Sequence, residues 1–388
     1  MSQCAHKLCH PRFQTVTCSP GTGALREEQD SRLDSRSAKG ERKSAGVHHP
    51  NASIYLPKKT NGHHSAPQKG PCVSSALTSE ESSVDVSVIV CAYSLERYGH
   101  LLDTIDSLVH QLHPVVEIVV VIDKNTTLYR QLASDTEAYG WHNVKLKFNE
   151  ELSGVSYARN VGIRESSGDI IAFIDDDAIA DPKWVQAIVG SFVGDERVGA
   201  VTGLTVPRWE SDGSWLPKEL YWMISCSYVT ATTTYEVERS FGMNMAIKRT
   251  VLDRVGLFDE RLGLVGKKWL GGEDTELVWR VSKSGFKILC NPDVKVFHAI
   301  PKTRLEIDAL LKRAFAGGTS EGNMIRIARR RVSPKTRQQY LSTLLFEFLP
   351  TKVRDAITQR SRVALKQALL VGMVLVFWGF GFGYGYVV

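Results

Sequence analysis

Four short, largely apolar segments, each followed by a stretch with helical spacing, restrict this chain to one kind of architecture. They are Val86–Ala92, Glu117–Ile122, Val144–Phe148 and Asp169–Ile174. A strand that alternates apolar and polar residues can leave one face in water, whereas a continuously apolar strand must be covered on both. Leu101, Leu102, Ile105, Leu108 and Leu112 recur at helical spacing after the first strand. Helices are expected again over Leu128–Tyr139 and Ser156–Ser166. Such alternation specifies an α/β fold: a parallel sheet with helices on both faces.

Asp181–Pro182 opens the next expected helix, with Asp181 as N-cap and Pro182 at the first position. Beyond Val198–Val206 the periodicity becomes irregular and aromatics crowd in, among them Trp209, Trp215, Tyr221 and Trp222. This half reads as an acceptor-binding region on the same core.

The fourth strand runs directly into Asp175, Asp176 and Asp177. Carboxylates crowded where a buried strand surfaces are costly unless something positive neutralises them. A hard divalent cation shared with a substrate diphosphate would do so, and the carboxyl ends of strands are where open α/β sheets bind ligands. A solvated acidic loop is the competing reading. Asp123 ends the second strand, placed to receive ribose or base hydroxyls. No glycine-rich loop follows the first strand, where Ala92–Tyr93–Ser94–Leu95 stands instead, and no Gly-x-x-x-x-Gly-Lys-Ser/Thr occurs. Dinucleotide and P-loop chemistry are therefore disfavoured.

Gly271–Gly272–Glu273–Asp274–Thr275–Glu276 forms a second acidic motif at the start of a helix. The helix dipole alone would favour acids there; the functional alternative is a general base for an acceptor hydroxyl. His298, after Val294–Phe297, is either a structural histidine or a third metal ligand or diphosphate contact.

The ends of the chain differ. Residues 1–83 are polar and read as disordered. Cys4, His6, Cys9 and His10 lack a second ligand pair at zinc-finger spacing, and the seven scattered cysteines read as reduced thiols. From Lys302 to Lys366 there are 15 Lys and Arg against 5 Asp and Glu, more than the whole-chain net charge of +6. Ala368–Val388 then carries no charge, and as a helix it would span about 31 Å. Basic residues before it indicate a cytoplasmic catalytic domain on a single-pass C-terminal anchor in the cell membrane. Gly372, Gly379, Gly381, Gly383 and Gly385 resemble a helix-packing face. The expected divisions are an extension to residue 83, a catalytic domain over 84–300, a basic helical region over 301–366 and a span over 367–388.

The run Val88–Ile89–Val90–Cys91–Ala92–Tyr93, Gly154 with Ala158–Arg159–Asn160–Val161–Gly162, the Asp triplet with Asp181–Pro182, Gly242–Met243–Asn244–Met245–Ala246 and Glu273–Asp274 occur in an order that resembles family 2 glycosyltransferases. The resemblance implies a GT-A fold, Rossmann-like with a mostly parallel sheet, and inverting transfer from a nucleotide sugar. It implies that Asp175 and Asp177 hold Mg2+ or Mn2+, with His298 as the candidate third ligand. It places Ala92, Tyr93, Asp123, Arg159 and Asp176 on the donor, and Asp274 with Glu273 at the catalytic step. Tyr93–Tyr98, Trp215–Pro217, Tyr221–Trp222, Arg313–Phe315 and Phe346–Pro350 are similar to the archaeal glucosyl-dolichyl-phosphate glucuronosyltransferases. Two features depart from that subgroup: the acidic excess of its haloarchaeal members is missing, and the N-terminal extension is foreign to it.

The expected partners are a UDP-sugar, a polyprenyl- or dolichyl-phosphate-linked acceptor of protein N-glycosylation and a membrane, and no nucleic acid. A dolichol-phosphate monosaccharide synthase is the near alternative. A catalytically inert nucleotide-sugar binder and a nucleotidyltransferase are the alternatives of other classes.

Overall fold

The computed structural model describes residues 84–151, 154–227, 232–238, 240, 242–265, 268–269, 271–326 and 340–387. The extension over 1–83, with the Cys4, His6, Cys9 and His10 set, lies outside them.

The first half follows the expected alternation: β1 (Val86–Ala92), α1 (Tyr98–Val109), β2 (Glu117–Asp123), α2 (Thr126–Tyr139), β3 (Val144–Asn149), α3 (Val155–Glu165) and β4 (Ile170–Asp175). β1 lies between β2 and β4, parallel to both, and β2 is parallel to β3. Residues alternate between the faces of the sheet. Val88 and Val90 pack with Leu101, Ile105 and Trp184 on one side, while Ile89 packs with Ile163, Ile171 and Phe173 on the other. Both faces are covered, which is why these strands carry so few polar residues.

Asn125 N-caps α2, its Oδ1 accepting from Leu128 N at 3.0 Å. The Asp181–Pro182 expectation is displaced by two residues. After β5 (Ala178–Ala180), α4 spans Trp184–Phe192, and Asp181 instead makes a turn in which its carbonyl accepts from Trp184 N at 2.8 Å.

The second half continues the same sheet, with one reversed strand at the junction. β6 (Val198–Trp209), β7 (Tyr235–Glu236), β8 (Asn244–Lys248) and, after α5 (Arg249–Val255), β11 (Lys287–Ile300) join it, with β8 antiparallel to both β4 and β6. The order β3-β2-β1-β4-β8-β6-β11-β5 makes a mixed sheet, less uniformly parallel than the apolar runs suggest. β9 (Leu264–Val265) and β10 (Lys268–Trp269) form a separate hairpin before α6 (Glu273–Lys283).

β11 pairs with β6 with register shifts between Lys287 and Ile288 and, more widely, between Asn291 and Lys295. The wider bulge is fixed by Asn244, whose Nδ2 donates to the carbonyls of Leu204 and Val294, each at 3.0 Å. Gly203 lies beneath it: a Cβ there would sit 1.7 Å from the Val294 carbonyl oxygen. Bulges of this kind re-aim the residues that follow, and here they direct His298 inward.

Beyond β11 come α7 (Ile307–Arg326), a π-helical turn (Thr343–Phe348), α8 (Leu349–Thr358) and α9 (Arg362–Val387). Leu310, Ala314, Leu344, Leu370, Val371 and Val374 share a cluster with Leu216, Leu220 and Ile224, so these helices pack against the aromatic-rich segment. α9 is long and apolar enough to cross a membrane. Two of the five glycines singled out on it meet α7: a Cβ on Gly381 or Gly385 would lie 2.0 or 2.2 Å from the carbonyl oxygens of Phe315 and Thr319. Gly372, Gly379 and Gly383 face nothing within 4 Å.

Candidate active site

The parallel strands end on one edge, and that edge collects the acids. Cys91 of β1 is in register with Asp175 of β4, and Ala92 with Ile122, one residue short of Asp123. Asp123 Oδ1 accepts from Asn149 Nδ2 at 2.8 Å and Oδ2 from Gly154 N at 3.2 Å, which ties the ends of β2 and β3 to the start of α3. Burial raises the Cys91 thiol to about 12 and the Cys290 thiol to about 11. Both are protonated at neutral pH and are not nucleophiles.

The three aspartates have three different environments. Asp175 turns toward Arg159, Oδ1 lying 3.5 Å from Nη2. Asp176 is buried, and Arg97 Nη1 lies 2.8 Å from its Oδ1. Burial outweighs that cation and, with Asp177 and Asp175 adding repulsion, pushes Asp176 up to about 8. Asp177 is also buried, with Arg97 Nη1 at 2.9 Å and Arg304 Nη2 at 3.4 Å from its Oδ2.

His298 faces Asp177 because β5 pairs antiparallel with β11, Ala178 opposite His298, and Ala299 N donates to the Asp177 carbonyl at 2.9 Å. Nδ1 donates to the Ile224 carbonyl at 3.1 Å, which leaves Nε2 bare to accept from Arg304 Nη1 at 2.8 Å. That bare nitrogen is 3.1 Å from Asp177 Oδ1. Among the described residues, Asp177 Oδ1 and Asp176 Oδ2 are buried and accept no hydrogen bond. An imidazole nitrogen and a carboxylate oxygen facing each other without a proton form a donor pair for a hard or borderline divalent cation. No three histidine, cysteine or acidic groups converge on one point among the described residues. A cation there would therefore complete its coordination with diphosphate oxygens and water.

The second acidic motif closes the site from the other side. Gly242 N donates to Asp274 Oδ2 at 2.9 Å and Thr275 N to Oδ1 at 2.6 Å. Oδ1 accepts as well from Thr275 Oγ1 at 3.3 Å, and Oδ2 keeps a lone pair beyond its bond to Gly242. Glu273 differs: its Oε1 accepts from Arg159 Nη1 at 3.0 Å, and burial and Asp274 push it above the ordinary glutamate range. Arg159 thus bridges the end of β4 to the start of α6. Gly242 lies flat against its guanidinium, where a Cβ would be 2.6 Å from Nη1.

These residues line a cavity of about 880 Å³ that also contains Ala92, Tyr93, Asp123, His298 and Arg304. Arg313 of α7, Leu344 of the π-helical turn and Val374, Leu375 and Trp378 of α9 line it as well.

Residues 87–256 match the model of glycosyl transferase family 2. They are a family 2 glycosyltransferase domain. The glucosyl-dolichyl phosphate glucuronosyltransferase of Haloferax volcanii is 29% identical to this glycosyltransferase over 299 residues, 76% of this chain and 94% of the relative. The succinoglycan biosynthesis protein ExoM of Rhizobium meliloti is 28% identical over 180 residues, 45% of this chain and 53% of that one. A solved mannosyltransferase, PcManGT from Pyrobaculum calidifontis in complex with GDP-Man and Mn2+, matches with a TM-score of 0.52 at 18% identity. The match covers 75% of this chain and 85% of that one, and the fold is GT-A.

The structure of the glycosyltransferase gathers all ten residues singled out from the sequence around one cavity. It pairs Asp177 with His298, sets Asp175 on Arg159, and commits Arg159 and Glu273 to each other. Arg97 and Arg304 were not assigned a site role from sequence. Arg304 belongs to the basic stretch over 302–366, yet it turns inward to His298 and Asp177. Its place six residues after His298, on a short 3₁₀ turn, was the available signal.

Proposed function

We propose that this glycosyltransferase moves a sugar, glucuronic acid in the first instance, from a UDP-sugar to a polyprenyl-phosphate-linked acceptor, with inversion, at the cytosolic face of a membrane. The observation that carries the acceptor class is the continuity of the cavity, from the carboxylates of the sheet edge to an apolar leg on α9. The likeness to the Haloferax volcanii enzyme supports the same acceptor and sugar.

Asp177 and His298 would hold Mg2+ or Mn2+, which supplies charge for the departing nucleoside diphosphate. Asp123, Ala92 and Tyr93 line the donor's end of the cavity. Arg97 and Arg304 stand beside the carboxylates, where a diphosphate would meet their guanidiniums. Asp274 is the base: it accepts the proton of the acceptor hydroxyl as that oxygen attacks the anomeric carbon. The Gly242 and Thr275 amides fix its orientation. Arg159 and Glu273 are positioning residues, a buried pair that holds the first turn of α6 against the end of β4.

α9 anchors the protein. Its inner face is seated on α7, while Leu369, Val376 and Phe380 are exposed and suited to lipid. Incubating the purified protein with a panel of UDP-sugars and a glucosylated polyprenyl phosphate tests the assignment. A product heavier by one sugar supports it, and donor hydrolysis without transfer contradicts the acceptor class.

A further inference from the structure

The acceptor reading leaves open where the lipid phosphate binds. Arg313 lies on α7 and lines the cavity, with Arg304 and Asp177 near enough to act on its charge. Its Nη1 donates to the Met223 carbonyl at 3.0 Å and to Ser225 Oγ at 3.4 Å, which aims the guanidinium at the cavity wall. Burial and the neighbouring Arg304 push its pKa down to about 9. An arginine keeps its proton under ordinary conditions, and its fork of donors suits phosphate oxygens. Asp177, His298 and Arg304 line the same cavity, as do Trp222, Leu344, Val374, Leu375 and Trp378.

Gly317 keeps this apolar leg open. It is one turn beyond Arg313 on α7, and a Cβ there would stand 2.9 Å from the Trp222 ring and 3.9 Å from Trp378. The far wall is α9, whose outer surface is apolar and exposed. A cation in the cavity, apolar side chains lining it and a bilayer-compatible helix as the wall complement one ligand chemistry. That chemistry is a phosphomonoester or phosphodiester carrying a hydrocarbon chain.

We propose that Arg313 and Ser225 form the phosphate subsite for the lipid-linked acceptor, and that the first isoprenoid units lie along Leu344, Val374, Leu375 and Trp378. This rests on the lipid-phosphate acceptor reading above. In this arrangement the acceptor enters from the α9 side and presents its sugar hydroxyl toward Asp274. Arg313 is then a specificity residue for the acceptor rather than a contact of the donor diphosphate.

The full chain, in detergent or nanodiscs, is assayed with two acceptors that share sugar and chain: glucosyl citronellyl phosphate and neutral citronellyl glucoside. The ratio of their kcat/KM values is the readout. Arg313→Gln is expected to lower the preference for the phosphate-bearing acceptor roughly tenfold to a hundredfold, and Arg313→Lys to recover part of it. An unchanged ratio, or a rise in the KM for the UDP-sugar in its place, overturns the subsite while leaving the acceptor class intact. Wild-type protein that uses neither acceptor overturns the acceptor class and the subsite together. In the wild-type protein, which needs no variant to fold, citronellyl phosphate is expected to inhibit competitively against the acceptor and citronellol to inhibit weakly. Equal inhibition by the two, or competition against the UDP-sugar, also overturns the subsite.

Discussion

His298 Nε2 stands 3.1 Å from Asp177 Oδ1, with no proton between them because Nδ1 holds the imidazole hydrogen against the Ile224 carbonyl. A backbone carbonyl that fixes the tautomer from behind is how metal-binding histidines are usually oriented. Arg304 donates to the same nitrogen and would give it up to a metal.

Transfer should therefore require a divalent cation. Chelation is expected to abolish it and Mn2+ or Mg2+ to restore it. Asp177→Asn and His298→Gln should each raise the metal concentration for half-maximal rate by roughly tenfold or more. Full activity in excess chelator would count against the pair as ligands.

Arg159 and Glu273 are buried partners, so removing either charge strands the other. Arg159→Met is expected to destabilise the protein by about 3 kcal/mol. Adding Glu273→Gln to it should return part of that loss, a coupling measurable by a double-mutant cycle in denaturant. Additive losses would mean that the ion pair contributes nothing of its own.

Glu117 supports the opposite edge of the sheet. Burial raises its carboxyl, but Lys145 and hydrogen bonds from Ser87 and Ser167 outweigh that and bring it down to about 2. A depressed folded-state pKa contributes stability above the unfolded value near 4.5, lost as pH falls toward 2. Glu117→Gln should cost about 2 kcal/mol at pH 7. The gap between wild type and variant should narrow between pH 4.5 and 2; a constant gap across that range would rule out the linkage.

Gly381 and Gly379 separate helix packing from helix propensity. Gly381→Val would force a side chain into the Phe315 carbonyl and is expected to cost about 2 kcal/mol. Gly379→Ala meets nothing and should be neutral or stabilise by up to about 1 kcal/mol. Thermal unfolding in detergent distinguishes them, and equal effects would show that α7 and α9 are not held by close approach.

The first half of the fold was legible because β1, β2 and β4 are buried on both faces and the intervening helices carry apolar stripes. The reversal at β8 was not. Asn244–Lys248 is short, and its antiparallel placement depends on Asn244 reaching two carbonyls from β6 and β11, contacts that no local periodicity encodes. The Asp triplet was visible, but its division of labour was not, because Arg97, Arg159 and Arg304 approach from segments distant in sequence. His298 was visible only as one of two readings; the β11 bulge and the β5 pairing turn it toward Asp177. The start of α4 was misplaced because Asp181 is a good cap by residue type, yet its carbonyl and carboxylate are used in a turn.

The central claim is that one cavity joins a nucleotide-sugar site to a lipid-phosphate acceptor with Asp274 as base. Mass analysis of the product from UDP-glucuronic acid and glucosyl polyprenyl phosphate, with wild-type and Asp274→Asn protein side by side, tests it most directly. The expected result is an acceptor heavier by one uronic acid residue with the wild type, and a rate lower by roughly a hundredfold to ten-thousandfold with the variant. An Asp274→Asn protein that makes the same product at the wild-type rate would contradict it.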